Sequence, residues 1–389
     1  MCDKEPSVTI MTSEYPPYIY GGAGVHVDYL SRFLAKTIEV EVRCFGKDRP
    51  EREGIRVRAY ERWDLMNETE NERFAKVLSP LSVNLAMVRE PIVSDIIHSH
   101  TWYTFVAGVY GKQLYDKPLV TTAHSLEPLR PWKQEQLGNA YRLSYWMEKA
   151  GIDASDCIIA VSGGMKEDIL NCYGVSEQKV RVIHNGIDPV EYKYVRSDIA
   201  LQEYGIWENY ILFVGRISKQ KGIFHLLNAV PYLPNDVQIV ICGGAADTEE
   251  IEREVVYEAA KWRNVKLIRG MVPKDRIIEL YSHARVFCCP SMYEPFGIIN
   301  LEAMACETPV VGSAVGGIKE IVIHNETGFL VTPGEPEELA YALSRLLYDK
   351  ELADEMGKSG RRRVENLFSW DSIAEQTVQL YKELIDVRM

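Results

Sequence analysis

Residues Ser7–Leu34 of this protein, SVTIMTSEYPPYIYGGAGVHVDYLSRFL, carry the pattern from which its fold is predicted. A run rich in β-branched residues at Ser7–Met11 predicts a strand, and a stripe of apolar residues at helical spacing predicts a helix after it. The apolar stripe consists of Tyr29, Leu30, Phe33 and Leu34. Between the two lies a glycine loop with Gly21, Gly22 and Gly24. A strand, a loop and a helix in this order are typical of parallel α/β sheets.

The same alternation continues along nearly the whole chain and pauses once, in the polar stretch 185–208. We therefore predict an α/β protein of two doubly wound domains, residues 1–185 and 186–389, with helices on both faces of each sheet. Two helical patterns at 351–363 and 370–387 are available to pack back across the boundary. Because ligands bind outside the carboxyl ends of parallel strands, we expect functional residues around a cleft between two facing sheets.

Composition and charge exclude several classes of protein. The 389 residues are 46% hydrophobic and 26% charged, which is typical of globular domains and not of disordered chains. The balance of 44 Lys and Arg against 56 Asp and Glu gives a net charge of −12, so a general nucleic-acid binder is not expected. The sequence shows no signal-peptide pattern and no apolar run of about 18 residues, so neither export nor a membrane span is predicted.

The eight cysteines are scattered and form no CxxC pair. Several lie in apolar runs, as Cys157, Cys288 and Cys289 do. This usage favours reduced, buried thiols in a cytoplasmic protein over a disulfide framework or a zinc site.

Two cations in Gly215–Gly222, GRISKQKG, follow the first predicted strand of the second domain. The planar guanidinium of Arg216, with its paired N–H donors, and the compact ammonium charge of Lys221 could together neutralise a diphosphate. A solvated basic loop is the alternative, but the flanking glycines and the position favour anion binding. The chain contains no Asp-x-Asp pair, so we expect no metal-held diphosphate, no metal and no cofactor.

The segment Ser291–Gly297, SMYEPFG, is the most informative of the sequence. A helix is predicted to begin near Gly297, with Glu294 in the loop before it and Glu302 two turns along it. A helix N-terminus offers N–H groups to a phosphate, and carboxylates beside it accept hydrogen bonds from sugar hydroxyls. This combination favours a sugar nucleotide as ligand, although Glu294 could also be a carboxylate that the helix dipole stabilises.

Histidines and glycines of the first domain give weaker signals. The loop with Gly21, Gly22 and Gly24 lacks the glycine spacing of a dinucleotide site or a P-loop. It could be a ligand-binding loop or a turn that binds no ligand. His98 and His100 have no further His or Cys at ligand spacing in the sequence, which argues against a metal site. His124 follows a strand, where its ring could donate to a sugar hydroxyl or cap the strand end.

Together these segments resemble the retaining glycosyltransferases of the GT-B fold, in which two Rossmann-like domains face a central cleft. The resemblance covers nearly the whole chain and is strongest to the short bacterial and archaeal glycogen synthases and to the maltose 1-phosphate synthases. The motifs that carry it are 15–24, HSHTW at 98–102, TAHSLEPLRPWK at 122–133, NGID at 185–188, GRISKQKG at 215–222, and EPFG with Glu302.

The resemblance implies roles for the residues of these motifs. Arg216 and Lys221 would bind the donor diphosphate and stabilise the leaving group, Glu294 would hold the donor glucose, and Glu302 the ribose. His124 would touch the transferred glucose. The remaining donor contacts would come from the loop with Gly21, Gly22 and Gly24, from Asn185, and from the backbone of Gly297, Ile298 and Ile299.

The acceptor side is predicted at Thr101, Trp102, Arg130 and Lys133. Longer bacterial glycogen synthases carry Asp where this chain has Thr101, so this chain departs from that family on the acceptor side. Arg130 and Lys133 could hold the phosphate of a glucose 1-phosphate acceptor.

Three functions are compatible with the sequence. The first, ranked highest, is glycogen biosynthesis, the extension of an α-1,4-glucan from ADP-glucose or UDP-glucose. The second is transfer of glucose to glucose 1-phosphate, which makes maltose 1-phosphate. The third is a non-catalytic glucan-binding subunit, ranked last because the donor residues are all present. The sequence leaves open the nucleobase, the acceptor length and whether the chain forms a homo-oligomer.

Overall fold

A computed structural model describes residues 5–52, 54–68 and 71–388. The chain divides into two compact units, Met1–Asn185 with Trp370–Met389, and Gly186–Ser369. The last helical segment of the sequence therefore belongs to the first unit, whereas the segment before it stays in the second. The predicted functional division, with the acceptor bound by residues 1–185 and the donor by residues 186–389, stays a prediction.

The first unit contains a seven-stranded parallel sheet in the order β3-β2-β1-β4-β5-β6-β7. Its strands are β1 (Ser7–Thr12), β2 (Glu39–Phe45), β3 (Arg56–Tyr60), β4 (Ile96–His100), β5 (Leu119–Ala123), β6 (Cys157–Ala160) and β7 (Val180–Val182). The strand order reverses between β1 and β4, so ligands are expected at the carboxyl ends of these two strands.

Helices connect the strands of this sheet. Among the described residues they are α1 (Gly22–Leu34), α2 (Glu72–Arg89), α3 (Trp102–Tyr115), α4 (Pro131–Leu137), α5 (Tyr141–Ala154) and α6 (Gly163–Tyr173). The apolar stripe predicted for the first helix is buried in α1, where Leu30 and Leu34 pack against Val8 and Val42 of the sheet. Burial of this stripe, more than helix propensity, stabilises the element.

The second unit contains a six-stranded parallel sheet in the order β10-β9-β8-β11-β12-β13. Its strands are β8 (Tyr210–Ile217), β9 (Gln238–Ala246), β10 (Val265–Arg269), β11 (Val286–Cys289), β12 (Val310–Ser313) and β13 (Gly328–Val331). Its helices are α7 (Ile199–Tyr204), α8 (Ile223–Ala229), α9 (Glu249–Ala260), α10 (Lys274–His283), α11 (Ile298–Ala305), α12 (Ile318–Ile321), α13 (Pro336–Tyr348) and α14 (Lys350–Leu367). The strand order reverses between β8 and β11, so a ligand is expected at the carboxyl ends of these two strands.

The final helix, α15 (Trp370–Asp386), packs on α1 in the first unit. Trp370 and Tyr381 of α15 are at most 1% exposed and join the core formed by α1 and the sheet. Helix α14, by contrast, packs on α11 and α13 in the second unit. Of the two terminal helices, only the second therefore returns to the first unit.

The predicted fold class is confirmed, since both sheets are parallel and alternate with helices. The short helices α4, α7 and α12 were not predicted, because segments of four to seven residues show too little periodicity to detect. Strand β8 extends to Ile217, into the segment Gly215–Gly222 that was predicted to follow the strand. No helix among the described residues is long and apolar enough to cross a membrane.

The seven cysteines among the described residues are free thiols, all buried except Cys172, which is half-buried. Cys2 lies outside the described residues. Burial raises the pKa of the Cys44 and Cys157 thiols to about 11, which disfavours the reactive thiolate.

Candidate functional site

Arg216 lies inside β8, and not in a loop after the strand as the sequence predicted. The strand register shifts between Gly215 and Ile217, and this irregularity lets β8 continue past the predicted end. Arg216 Nη1 donates to Asp247 Oδ1 at 2.5 Å, directly after β9. Asp247 was missed in the sequence because a single carboxylate after a strand carries no motif of its own.

Lys221 pairs with Glu294, the carboxylate predicted to hold the donor glucose. The distance between Lys221 Nζ and Glu294 Oε2 is 2.6 Å, and Ser291 Oγ donates to the same oxygen at 3.1 Å. The two side chains are 16% and 7% exposed. The side chain predicted to bind the diphosphate is therefore in direct contact with the side chain predicted to bind the sugar.

Helix α11 begins directly after Gly297, as the sequence predicted. Gly297 has a φ of +101°, and a Cβ there would lie 2.5 Å from Asn300 Nδ2, so the position requires glycine. As the N-cap residue it offers no side chain to the N–H groups of the first turn, which includes Ile298 and Ile299. The backbone N–H groups of the first turn of α11 therefore have no side-chain cap from Gly297, and the positive end of the helix dipole there favours an anion.

Glu302 lies on the same helix, and its Oε2 accepts a hydrogen bond from the Tyr281 hydroxyl at 2.9 Å. Burial raises the pKa of Glu302, and the hydrogen bonds from Tyr281 and Tyr192 oppose that shift. The two tyrosines orient the carboxylate predicted to bind the ribose. Neither was identified from the sequence, because isolated tyrosines give no pattern.

The glycine loop of the first unit is anchored by Glu14. Its Oε2 accepts hydrogen bonds from the backbone N–H groups of Tyr20 and Gly21, both at 2.8 Å. A Cβ at Gly24 would lie 2.7 Å from the same oxygen, so glycine is needed for this close approach. A Cβ at Gly21 would meet no atom within 4 Å, so there is open space beside the loop.

Three histidines come together at the carboxyl ends of β4 and β5. The nitrogens of His26, His100 and His124 that could bind a metal lie within 4.8 Å of one another. The expectation that no further His or Cys lies at ligand spacing near His98 and His100 does not hold in the fold, because His26 and His124 are far from His100 in the chain but adjacent to it in the structure. That expectation relied on linear spacing, which does not show which residues a parallel sheet brings together.

The histidine cluster is bound internally by hydrogen bonds. His100 Nδ1 and His124 Nε2 are 3.1 Å apart, and His26 Nδ1 lies 2.6 Å from Asn185 Oδ1. Burial lowers the pKa of His26 to about 4 and that of His124 well below its ordinary value. The cluster is neutral at pH 7, and Asn185, predicted to position the donor, is held by His26.

The predicted acceptor residue Thr101 has an unusual backbone. It lies between β4 and α3 with φ +63° and ψ +158°, a conformation rare for any residue with a side chain. Its buried hydroxyl has no hydrogen-bond partner among the described residues. The next residue, Trp102, is 5% exposed and stacks on Tyr103 with ring centroids 4.0 Å apart, so its role is at least partly one of packing.

Arg130 lies just before α4, and its guanidinium faces Glu127. The distance from Arg130 Nη1 to Glu127 Oε1 is 3.6 Å, and the Arg130 side chain is 15% exposed. Glu127 is fully buried, and its other oxygen accepts a hydrogen bond from Ser144. Lys133 is half-buried on α4, one turn further along.

A second buried carboxylate, Glu148 on α5, supports this loop. Glu148 Oε1 accepts from the backbone N–H of Glu127 at 2.8 Å and from the Tyr173 hydroxyl. Burial, reinforced by the charge of Glu127, raises the pKa of Glu148 to about 8. Neither Glu127 nor Glu148 was identified as important from the sequence, since each is a single acidic residue in a helical or turn segment.

Two family models match the chain. Residues 20–191 match "Glycosyltransferase Family 4", and residues 203–363 match "Glycosyl transferases group 1". The sequence is 44% identical to the α-maltose-1-phosphate synthase of Mycolicibacterium smegmatis over 97% of this chain and 99% of that protein. This chain belongs to the GT-B glycosyltransferases.

Other relatives of this glycosyltransferase are more distant. It is 28% identical to a glycogen synthase of Mycobacterium tuberculosis over 96% of the chain and 94% of that protein. Among solved structures it is similar to sucrose-phosphate synthase from Thermosynechococcus elongatus, with a TM-score of 0.82, 27% identity, and 98% and 100% of the two chains covered. The predicted resemblance to the GT-B enzymes is confirmed.

Proposed function

We propose that this glycosyltransferase transfers glucose from a nucleotide-glucose to glucose 1-phosphate, with retention and without a metal, and so makes maltose 1-phosphate. The 44% identity to α-maltose-1-phosphate synthase over nearly both full lengths supports this function. Glucan elongation, ranked first from the sequence, has weaker support, because the glycogen synthase is 28% identical. The order of the first two hypotheses is therefore reversed.

The observation in the structure that carries the proposal is Arg130, a cation of the first unit held 3.6 Å from the buried Glu127. A carboxylate in the protein interior fixes the direction of the guanidinium without using all five of its N–H donors. Arg130 can therefore present donors to a phosphate, with Lys133 beside it on α4. A neutral glucan end would have no group for these two charges to pair with.

We assign the donor to the second unit. Arg216 and Lys221 would bind the diphosphate, Glu294 the hydroxyls of the glucose, Glu302 the ribose, and the first turn of α11 the phosphate or sugar. Each of the two cations has a carboxylate partner, Asp247 and Glu294 respectively. Each cation is thus preorganised, which lowers the cost of fixing it when the diphosphate binds.

The proposed reaction breaks the bond between the anomeric carbon and the donor diphosphate and forms a bond from that carbon to O4 of the acceptor glucose. Attack on the face from which the diphosphate leaves retains the configuration. The proton of the acceptor hydroxyl passes to an oxygen of the departing phosphate. Arg216 and Lys221 would stabilise the negative charge that develops on the diphosphate, and such preorganised charges act strongly where water is excluded.

The experiment that tests this function is a panel of donors crossed with acceptors. ADP-, UDP- and GDP-glucose are each offered with glucose 1-phosphate or with glycogen, and the products are identified by mass. We expect a hexosyl-hexose phosphate from glucose 1-phosphate, with ADP-glucose as the preferred donor. Extension of glycogen with no use of glucose 1-phosphate would overturn the proposal in favour of glucan synthesis. No turnover with any pair would favour the non-catalytic alternative.

The remaining predictions about cell biology are proposals of the same kind. The free, mostly buried thiols favour a reducing compartment, so we place the enzyme in the cytoplasm. We propose no nucleic-acid or membrane partner and leave the homo-oligomer as an alternative to be measured by light scattering.

A further inference from the structure

The last helix, α15, contacts histidines of the first unit through two side chains. Trp370 begins the helix, and Tyr381 lies about three turns further along it. Both are at most 1% exposed. Neither belongs to a motif of the predicted site, and neither takes part in a step of the proposed reaction. Because both are buried against histidines, their role is internal to this part of the unit.

Tyr381 is connected to His124 through two intervening histidines. Its hydroxyl lies 2.6 Å from His98 Nδ1, and His98 Nε2 lies 2.7 Å from Thr122 Oγ1. With a partner at each nitrogen, the His98 ring cannot turn over without losing both hydrogen bonds. This ring packs on the ring of His100 with 4.2 Å between centroids, and His100 Nδ1 lies 3.1 Å from His124 Nε2. One series of contacts therefore runs from α15 to His124.

Trp370 is connected to His124 through a single histidine. The ring of His26 makes T-shaped contacts with both, with its centroid 5.2 Å from that of Trp370 and 4.7 Å from that of His124. Trp370 is itself stacked on Tyr29 of α1, with 5.8 Å between centroids. A second series of contacts from α15 therefore ends on the same residue as the first.

The positions of the ring protons follow from which nitrogens have partners. The histidine cluster is neutral at pH 7, so each ring carries one proton. His26 Nδ1 lies 2.6 Å from the amide oxygen of Asn185, which can only accept, so this nitrogen carries the proton. His26 Nε2 is buried and has no partner among the described residues. In this ring the unpaired buried atom is the nitrogen without a proton.

The same reasoning assigns the protons of His100 and His124. His100 Nε2 is also buried and, within the described ranges, unpaired. A proton there would bury an N–H donor without an acceptor, and such orphaned donors are rare in native proteins. His100 therefore carries its proton on Nδ1 and donates it to His124 Nε2. Since His124 is neutral, its own proton lies on Nδ1, the nitrogen outside this hydrogen bond.

We infer that Tyr381 and Trp370 are positioning residues, which hold His124 in one orientation and as the tautomer with its proton on Nδ1. They act through the histidines between them and His124. The Nδ1–H group makes His124 a hydrogen-bond donor toward a hydroxyl of the transferred glucose, and the inference rests on the proposed function for this contact. A donor fixed in advance needs no rearrangement when the transition state forms.

The first test measures the tautomer directly, in the full chain without substrate. Heteronuclear NMR spectra of protein labelled at the histidine ring nitrogens distinguish a protonated nitrogen from a bare one. The His124→Ala variant identifies the signals of His124 among those of the eight histidines. We expect the Nδ1–H form in the wild type and a mixture of both forms in Tyr381→Phe. The Nε2–H form of His124 in the wild type would overturn the inference.

The second test is a double-mutant cycle on turnover. Tyr381→Phe and Trp370→Phe should each lower kcat by about two- to tenfold and leave both KM values nearly unchanged. In the His124→Ala background the same substitutions should have no further effect, because the residue that they position is absent. An equal loss of kcat in both backgrounds would show that the two residues only stabilise the fold, and the inference would be wrong.

Two conservative variants of His124 test which nitrogen donates. His124→Asn places an amide N–H near the position of Nδ1, whereas His124→Gln places one near that of Nε2. We expect His124→Asn to keep more turnover than His124→Gln, and the reverse order would contradict the assigned proton. If His124→Ala is too slow to measure, His124→Asn is the background for the cycle, since its amide donates without help from α15.

The matched control is Thr377→Val on the same helix. The Thr377 hydroxyl donates to Ile373 O at 2.8 Å, and the residue is 1% exposed. This variant therefore removes a buried hydroxyl that is bonded to the helix backbone instead of to a histidine. Its kcat and its His124 tautomer should be those of the wild type. Thermal unfolding of all variants shows whether the losses of stability are comparable.

The inference and the proposed function can fail separately. If the enzyme glucosylates glucose 1-phosphate but His124 carries its proton on Nε2, the inference is wrong and the function stands. If the wild type extends glycogen and does not use glucose 1-phosphate, the function is wrong, and the cycle measured with glycogen decides the inference. If no acceptor is used, the tautomer in the wild type and in Tyr381→Phe decides it.

Discussion

Lys221 and Glu294 form a hydrogen-bonded ion pair in the second unit, with 2.6 Å between Nζ and Oε2. Each was assigned to a different part of the donor, the cation to the diphosphate and the carboxylate to the glucose. Because both side chains are largely buried, their interaction is stronger than that of a surface pair. Removing either one leaves the other buried without its partner.

Substituting either donor cation by Ala should reduce turnover. Lys221→Ala and Arg216→Ala each remove charged hydrogen bonds worth roughly 1.5 to 3 kcal/mol, so we expect kcat/KM to fall by about ten- to hundredfold. From the sequence, both residues were placed in a loop after a strand, where a substitution by Ala is expected to leave stability unchanged. The structure changes that expectation, because Glu294 or Asp247 loses its partner, and the thermal midpoint should also fall.

The matched control for these two variants is Lys219→Ala. Lys219 lies in the same segment but is exposed, so its removal should leave both kcat/KM and thermal stability unchanged. Steady-state kinetics with ADP-glucose and thermal unfolding of all three variants provide the comparison. Near wild-type turnover in both donor variants would show that the donor assignment is wrong.

Activity should persist in excess EDTA, because we propose that side-chain cations bind the diphosphate. The cluster of His26, His100 and His124 makes this a meaningful test. His100 Nδ1 and His124 Nε2 are hydrogen-bonded to each other and His26 Nδ1 to Asn185, which competes with metal ligation at these atoms, whereas His26 Nε2 and His100 Nε2 have no partner among the described residues. Loss of activity on chelation, with recovery on addition of Zn²⁺ or Mg²⁺, would contradict metal independence and implicate this cluster.

Most of the architecture could be predicted from the sequence, whereas the pairing of side chains could not. The predicted alternation of strands and helices is found in both sheets, because buried parallel strands are short β-branched runs bounded by loops. Helix α12, with four residues, shows no detectable period. The convergence of His26, His100 and His124 depends on which strands are neighbours, and local spacing contains no information about that order.

The same limit explains the missed partners of the donor residues. Asp247 follows β9, and β9 lies beside β8 in the sheet, so the contact with Arg216 is a consequence of strand order. Glu14 could have been suspected, since it precedes the glycine loop by a few residues. Its role as an anchor depends on a turn whose conformation the sequence did not specify.

The phosphate-binding proposal predicts a difference between acceptors. Changing Arg130 and Lys133 together to Ala should raise the KM for glucose 1-phosphate far more than the KM for glycogen, because the neutral glucan has no charge to pair with. Kinetics with both acceptors at saturating donor measure the effect. An equal rise in both KM values would indicate that the two residues support the loop and do not bind phosphate.

The buried Glu148 predicts a pH dependence of stability. Its pKa is raised to about 8 in the folded protein, so the native state holds the proton more tightly than the unfolded chain. The free energy of unfolding should therefore decrease as pH rises from the ordinary carboxyl pKa of about 4.5 through 8. Glu148→Gln cannot ionise and should lack this decrease.

Denaturant unfolding of the wild type and Glu148→Gln at about pH 5, 7 and 8.5 measures the difference. Between the lowest and the highest pH, the free energy of unfolding of the wild type should fall relative to that of Glu148→Gln by an amount on the order of a few kcal/mol. Parallel curves over this range would show that Glu148 titrates normally. An Asp153→Asn control, at an exposed acid of the same helix, should leave the wild-type profile unchanged.

The last prediction concerns Thr101, which has φ +63° and, within the described residues, an unpaired buried hydroxyl at the proposed acceptor site. An Asp at this position would place a negative charge near an anionic acceptor, so Thr101→Asp should weaken use of glucose 1-phosphate selectively. The φ of +63° and ψ of +158° lie outside the αL region that Asp and Asn favour, so Asp and Asn should strain the turn alike. Thr101→Asn has the same shape without the charge and is the matched control, since it should keep the wild-type preference between glucose 1-phosphate and glycogen. Measured as the ratio of kcat/KM for the two acceptors, an unchanged ratio in Thr101→Asp would count against a phosphorylated acceptor, because a carboxylate this close to its phosphate could not be neutral in effect.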